Sequence, residues 1–334
     1  MWYDKSALLS HNRLLNMVLS NRGGGKTFHF TRWAIEDFKK TGKQTVWVRR
    51  YKTELTDPEK GILVNGRFFD AVRSYYPDDD LTIEGSTGYI NGEPAIIFIA
   101  LSTSRQMKSV ALPFTNKIIF DEFLVTEGRT GYLKAEVEVF LDLFETVARL
   151  RDNVRAVLLA NAISIVNPYF LYFNIKPRAD KRFTVRGQVC IEMFTDADFI
   201  EAKRKTRFGE LVQNTRYGSY AIDNRWLLDS DTFIEPKPAK CEFMLGLKYN
   251  GIMYGFWMDY KRGLIFVNRQ YDPSSYWLYC LNRDDHDMNL MLIKSLSDSH
   301  KIKKIVTAFR CACLRFEDMS IKDQFYELIG LFVR

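Results

Sequence analysis

The spacing of apolar and polar positions changes period several times along the chain. "NMVL", from Asn16 to Leu19, is a short apolar run that predicts a strand. From Thr27 to about Lys40 the apolar positions fall at helical spacing, with Phe30, Ala34 and Phe38 on one face, and Gly42 closes the pattern as a helix stop. "TVWVRRY" is rich in β-formers, and "RFFDAVRSYY" reads as a helix stopped by Pro77. "LTIEGSTGYINGEPAIIFIAL" predicts strands joined by a hairpin at Asn91-Gly92. "KIIF" is a strand followed by acids, Glu136–Arg149 suits a helix, and "AVLLA" is another buried strand. Dense apolar strands alternating with helices predict a mostly parallel sheet covered on both faces.

The character changes near residue 195. "DADFIEAKRKTRFGELVQNTRYG" is charged and helical in part. "CEFMLGLKYN", "IMYGFWMDY", "GLIFVNRQY" and "YWLYCL" then follow as adjacent strands that suggest a meander, and the tail from "HKIKKIVTAFRCACLRF" onward looks helical. The expected organisation is an α/β domain over residues 1–197, a helical linker over 198–228 and a smaller α+β domain over 229–334.

Composition narrows this picture. A chain of 334 residues is long for one domain, and a hydrophobic fraction of 46% supports a large core. The net charge of +7 permits a polyanionic partner. The 5 cysteines include no CxxC pair, which suits free thiols in a reducing compartment, and the 4 histidines show no zinc spacing. The longest apolar run, "AIIFIAL", is 7 residues against the roughly 20 that a membrane helix needs. The N-terminal stretch is too polar for a signal peptide. The expectation is a soluble intracellular protein with no membrane partner.

The strongest chemical signal is "SNRGGGKT". It matches the phosphate-loop pattern G-x-x-x-x-G-K-[ST] except that Ser20 replaces the first glycine. Arg22, Gly23, Gly24 and Gly25 would curl the backbone so that successive N–H groups face an anion at a helix N-terminus. Lys26 would reach the β- and γ-phosphates of ATP, and the Thr27 hydroxyl would ligate Mg²⁺. Such a loop needs acids at the end of another buried strand, and "IIFDEF" supplies them. Asp121 would hold the metal and Glu122 would polarise the attacking water.

Other candidates are open to two readings. Asn161, at the end of "AVLLAN", either senses the γ-phosphate or caps a turn. Among Arg149, Arg151 and Arg155, one could reach a neighbouring subunit's nucleotide, or all three solvate a surface helix. Arg49, Arg50 and Lys52 follow the second strand, facing phosphates or solvent. Lys108 sits in a loop where lysines usually do nothing specific.

"LLNMVLSNRGGGKT", "VWVRRYKTEL", "IIFDEF", "LLANAISIVNPYFLYFN", "KRKTRFG" and "MDYKRGLIFVNRQYDPSS" together resemble the DNA-packaging ATPases of phi29-like tailed bacteriophages, over nearly the whole chain and in the same order. The resemblance implies an additional-strand (ASCE) phosphate-loop ATPase domain followed by an RNase H-like, nuclease-derived domain without nuclease activity. It implies a homo-oligomeric ring, in phi29 a pentamer on a packaging RNA. That ring drives double-stranded DNA into a procapsid at the portal, acting in the host cytoplasm and absent from the mature virion. It also assigns Arg149 as a trans-acting arginine finger, Lys108 as a second trans-acting cation and Asn161 as the strand-end polar group. Contact with DNA is expected at Arg49, Arg50, Lys52, Lys40 and Lys43. Asp259 would be a remnant of the first nuclease acid, and "KRKTRFG" a structural link between domains. The alternatives are another DNA translocase or helicase, or a nucleotide-binding assembly protein without turnover; Ser20 is the residue that keeps the last alive.

Overall fold

The computed structural model describes residues 3–21, 23–55, 67–107, 110–125, 131–161, 167–178, 181–212, 215, 233–293 and 299–333. The chain divides into two units. The first comprises residues 1–124, 135–162 and 175–227; the second comprises 125–134, 163–174 and 228–334. Two short stretches that precede residue 197 therefore group with the C-terminal part.

In the first unit, α1 (Ser6–Ser10) leads to β1 (Leu15–Ser20), α2 (Lys26–Thr41) and β2 (Gln44–Arg49). Then come β3 (Leu81–Glu84), β4 (Thr87–Ile90), β5 (Glu93–Ala100), β6 (Thr115–Asp121), α3 (Glu136–Ala148) and β7 (Arg155–Asn161). β8 (Phe183–Arg186), β9 (Val189–Phe194), α5 (Ala197–Arg204) and α6 (Arg207–Val212) close the unit, while α4 (Pro168–Tyr172) belongs to the second. The nine strands form one sheet in the order β3-β4-β5-β2-β6-β7-β1-β9-β8. From β5 to β9 all neighbours are parallel; β3–β4, β4–β5 and β8–β9 are antiparallel and close the two edges. Every residue of β1 is buried, as a strand covered on both faces requires. Parallel strands all end on one side of the sheet, which brings the tips of β1, β6 and β7 together.

Two local signals resolve as their chemistry dictates. Asn91 and Gly92 both have positive φ, 52° and 79°, as the tight β4–β5 turn requires. α2 stops at Gly42, whose left-handed conformation (φ 68°) lets its N–H donate to Phe38 O at 2.8 Å. The α-helix expected over "RFFDAVRSYY" is absent: residues 67–76 form turns, with a short 3-10 segment at Arg73–Tyr75. Phe68 and Phe69 are adjacent, and both pack inward, Phe68 against Trp47 and Phe98.

The second unit carries a six-stranded sheet, β14-β13-β10-β11-β12-β15. β10 (Glu242–Tyr249), β11 (Ile252–Asp259) and β12 (Leu264–Asn268) form the antiparallel meander. β13 (Leu278–Cys280) does not extend it: it crosses to the far side of β10 and pairs in parallel there, next to β14 (Met291–Leu292). The tail is α7 (His300–Arg310), β15 (Leu314–Phe316), which pairs in parallel with β12, and α8 (Met319–Val333). Ile302, Ile305, Ile321, Phe325 and Leu328 from the two helices meet Leu245, Phe256 and Val267 in this unit's core. The described helices include none long and apolar enough to cross a membrane.

Candidate nucleotide site

A cavity of about 380 Å³ opens at the tips of β1, β6 and β7, lined by Gly23, Gly24, Gly25, Lys26, Thr27, Phe28, Asp121, Glu122, Ala160 and Asn161. The loop after β1 turns into α2 through Gly25, whose φ of 80° is open to glycine and costly for other residues. Gly24 is packed closely; a Cβ there would stand 3.3 Å from Ser20 Oγ. Arg22 lies outside the described residues.

Lys26 is buried and turned back onto the loop. Its Nζ donates to Ser20 Oγ at 2.8 Å, Asn21 O at 3.2 Å and Asn161 Oδ1 at 3.3 Å. The sheet register explains the last contact, because Ser20 pairs directly with Asn161 across β1 and β7. Ser20, in place of the usual glycine, thus serves as a hydroxyl acceptor for the lysine. Burial pulls Lys26 down to about 8, against the opposing pull of Asp121 and Glu122.

Asp121 is buried at the end of β6. The Thr27 hydroxyl donates to its Oδ1 at 3.3 Å. Burial pushes its carboxyl up; Arg49 opposes the shift and Glu122 reinforces it. Glu122 follows in the left-handed region (φ 59°), a strained conformation for a residue with a side chain, and it is exposed to the cavity. Thr27 and Asp121 supply hard oxygen donors side by side, the set a Mg²⁺ ion takes.

The adjacent arginines after "WV" part company. Arg49 reaches into the site: Nη1 is 3.3 Å from Asp121 Oδ2 and Nη2 is 2.7 Å from Glu122 Oε2. Burial lowers its pKa, but Asp121, Glu122 and Glu54 outweigh that and hold it above the ordinary value. Arg50, expected to face DNA, is buried and occupied within the fold. Its Nε and Nη2 donate to the Glu136 carboxylate at 2.8 and 3.0 Å, and Nη1 donates to Glu122 O at 3.2 Å. It therefore braces the backbone that carries the two acids. Neither role is visible in "VRRYK" alone; the available signal was two arginines at the end of a strand too apolar to be exposed.

The other expected DNA-facing cations do not form one surface. Lys52 is exposed at the site end of β2. Lys40, exposed, and Lys43, half-buried, stand at the opposite end of that strand, beside the C-terminal end of the 16-residue α2. A helix of that length separates them from the phosphate loop by about 24 Å.

Arg149 does not line this chain's cavity. It caps α3 with φ 49° and ψ −120°, is exposed, and its guanidinium has no partner among the described residues. The next residue, Leu150, is fully exposed. Arg151, by contrast, donates to Leu112 O, Pro113 O and Thr115 O, and Arg155 donates to Asn12 Oδ1. Of the three arginines only Arg149 is at liberty to serve another molecule. Lys108 lies outside the described residues.

A profile described as podovirus DNA encapsidation protein (Gp16) matches residues 1–332. The chain is 38% identical over 328 residues to the DNA packaging protein of Bacillus phage phi29, covering 98% of this chain and 97% of that one. It superposes on a chain of the bacteriophage phi29 viral genome packaging motor assembly with a TM-score of 0.60 at 38% identity, covering 100% of this chain and 99% of the other. The crystal structure of the N-terminal domain of the DNA packaging ATPase from bacteriophage phi29 matches at a TM-score of 0.54 and 39% identity, over 59% of this chain and 98% of that one. The chain therefore belongs to the podovirus DNA encapsidation protein (Gp16) family.

Proposed function

We propose that this protein is an ATP-driven DNA-packaging motor of a phi29-like phage, acting at the portal of a procapsid. Its first unit is an ASCE phosphate-loop ATPase domain. The observation that carries the reading is the convergence of Lys26, Thr27, Asp121, Glu122 and Asn161 around one cavity, with Lys26 and Asn161 135 positions apart in the chain.

The residues suggest how the reaction runs. The loop N–H groups and Lys26 bind the triphosphate of ATP, and Lys26 must leave Ser20 and Asn21 to do so. Asn161 releases Lys26 in that step and becomes free to orient the γ-phosphate or water. Thr27 and Asp121 would hold Mg²⁺, which when bound neutralises charge on the phosphate oxygens. Glu122 accepts a proton from the attacking water once its carboxylate is no longer tied to Arg49. Arg50 and Glu136 keep the strand end from moving during these changes. Arg149 completes the site of a neighbouring copy, which makes hydrolysis depend on assembly in a ring, a pentamer by the family resemblance. Double-stranded DNA is held through phosphates without base readout, as a motor that passes any sequence requires. The second unit is an RNase H-like domain that binds nucleic acid, a packaging RNA included, or the portal without cleaving.

The test is ATP hydrolysis by the protein with procapsids and DNA, set against Glu122→Gln. The variant should bind nucleotide and lose turnover and packaging together. Wild-type protein that binds ATP without turnover would support an assembly protein instead. Turnover indifferent to procapsids, with strand separation, would support a helicase.

A further inference from the structure

The cavity accounts for a triphosphate but not for a nucleoside. Among the described residues its lining is loop backbone, Lys26, the acids, Asn161 and a single aromatic residue, Phe28. The Phe28 ring is already engaged: Tyr75 packs edge-on at 5.3 Å and the Arg32 guanidinium lies 5.9 Å from its centre. The sheet order indicates where the rest of the nucleotide goes. The acids stand at the tip of β6, Asn161 at the tip of β7 and the loop at the tip of β1, with β9 next in line. A triphosphate with its γ end at β6 and β7 runs across the loop and leaves on the β9 side.

That side is occupied by α5, which follows β9 directly. Asp196 caps it by accepting from Phe199 N at 3.1 Å. The first turn so fixed sets Phe199 against the loop: a Cβ on Gly23 would lie 3.5 Å from Phe199 Cζ and 3.9 Å from Lys203 Nζ. Lys203 Nζ is 5.7 Å from the centre of the Phe199 ring, so the aromatic face and the cation stand together. Gly23 itself is exposed, and Phe199 is only half-buried. The N-terminal segment steadies the same flank: Tyr3 N donates to Gly24 O at 3.4 Å, and its ring meets Phe194, the last residue of β9, edge-on at 5.1 Å. A half-buried aromatic ring and an ammonium beside an exposed phosphate-loop glycine are the groups that a purine and its α-phosphate need.

We infer that Phe199 and Lys203 on α5 form the nucleoside subsite, with the Phe199 ring packing on the base and Lys203 bridging Gly23 and the α-phosphate. This rests on the nucleotide reading of the cavity. It gives "KRKTRFG" a ligand-binding role in place of a plain linker, since Lys203 opens that run. The presence of nucleotide would then be felt by α5, which leads into α6.

The experiment compares ATP with inorganic tripolyphosphate, both with Mg²⁺, in equilibrium titrations of the full chain. Phe199→Ala should weaken ATP about tenfold, the loss of one base–aromatic contact, and leave tripolyphosphate binding unchanged. Phe199→Trp should bind ATP normally and show an added emission that ATP changes and tripolyphosphate does not. Equal ATP binding by Phe199→Ala and wild type overturns the inference. So does an equal loss of both ligands, since the ring would then only prop the loop, and so does an added emission from Phe199→Trp that is blind to ATP. If the wild-type protein binds neither ligand, the nucleotide reading itself fails, a different outcome from either.

Discussion

Asp121 and Asp259 both end a strand, one in each unit, and they do different things. Asp121 is bound by groups far away in sequence: Thr27, 94 positions earlier, and Arg49, 72 positions earlier. Asp259 is bound by its own turn, accepting from Lys261 N at 3.0 Å and Arg262 N at 3.2 Å. Asp272 behaves like Asp259, accepting from Ser274 N and Oγ two positions on. Asp285 is buried and accepts from Gly251 N, 34 positions earlier, outside the cavity that holds Asp121. Among the described residues no three His, Cys, Asp or Glu side chains are grouped to hold a metal. A carboxylate satisfied locally shapes a loop. A buried carboxylate with distant partners braces the fold where it is sealed in, as Glu136 is by Arg50; where it lines a cavity, as Asp121 does, the fold bears its desolvation cost for chemistry.

That contrast can be broken. Asp121→Asn should lower packaging-coupled ATP turnover about 10³-fold, the scale of one lost transition-state electrostatic contact, whereas Asp259→Asn should leave turnover unaltered. Comparable losses from both would erase the distinction. Arg149 and Arg151, just after α3, pose the same question with the opposite charge. Arg149→Ala should also depress turnover about 10³-fold in the assembled motor while nucleotide affinity holds, as for a finger acting on a neighbour. Arg151→Ala should instead lower thermal stability, because the carbonyls of Leu112, Pro113 and Thr115 lose this donor.

Removing Arg50 takes away the guanidinium paired with Glu136 in the interior, where that carboxylate is fully enclosed. Arg50→Ala should cost about 3–5 kcal/mol of stability in denaturant titration. The exposed pair Lys205–Glu201 should cost under about 1 kcal/mol when broken.

A smaller effect concerns pH. Lys26 has a pKa of about 8 in the fold, below the usual lysine value, so the free protein loses this proton as pH rises through about 8. A triphosphate requires the charged form, so ATP affinity should fall above that pH, by at most about tenfold per unit, with proton uptake on binding. The linkage for stability has the opposite sign. Between the folded and the unfolded lysine's pKa the unfolded chain holds more protons, so the ligand-free fold gains stability as pH rises there. Asp259→Asn should produce a small change, within about 1 kcal/mol of stability, because an amide oxygen can still accept from Lys261 N and Arg262 N.

Much of the site was legible in one dimension. The glycines, Lys26 and Thr27 announce an anion loop because backbone curvature and the helix N-terminus are local properties. "IIFDEF" announces a buried strand ending in charge, and Asn91-Gly92 announces its hairpin for the same local reason. The alternation of strand and helix also carried the parallel sheet. What escaped was direction and partnership. Arg49 and Arg50 are neighbours in a β-rich run, yet one meets the acids and the other braces Glu136, because successive side chains of a strand point oppositely. Three arginines near the end of α3 look alike in sequence; packing against residues 112–115 ties up one of them and leaves Arg149 exposed. β13 leaves the meander because the edge it joins belongs to β10, and no local signal states which edge is open.

By itself, then, the order of residues determined which groups could handle a phosphate, since those demands are met within a few positions of chain. The tertiary structure alone decided which cations face the acids, which brace them and which helix flanks the loop. Those choices follow from strand order and register, which bring together positions that lie far apart in the chain.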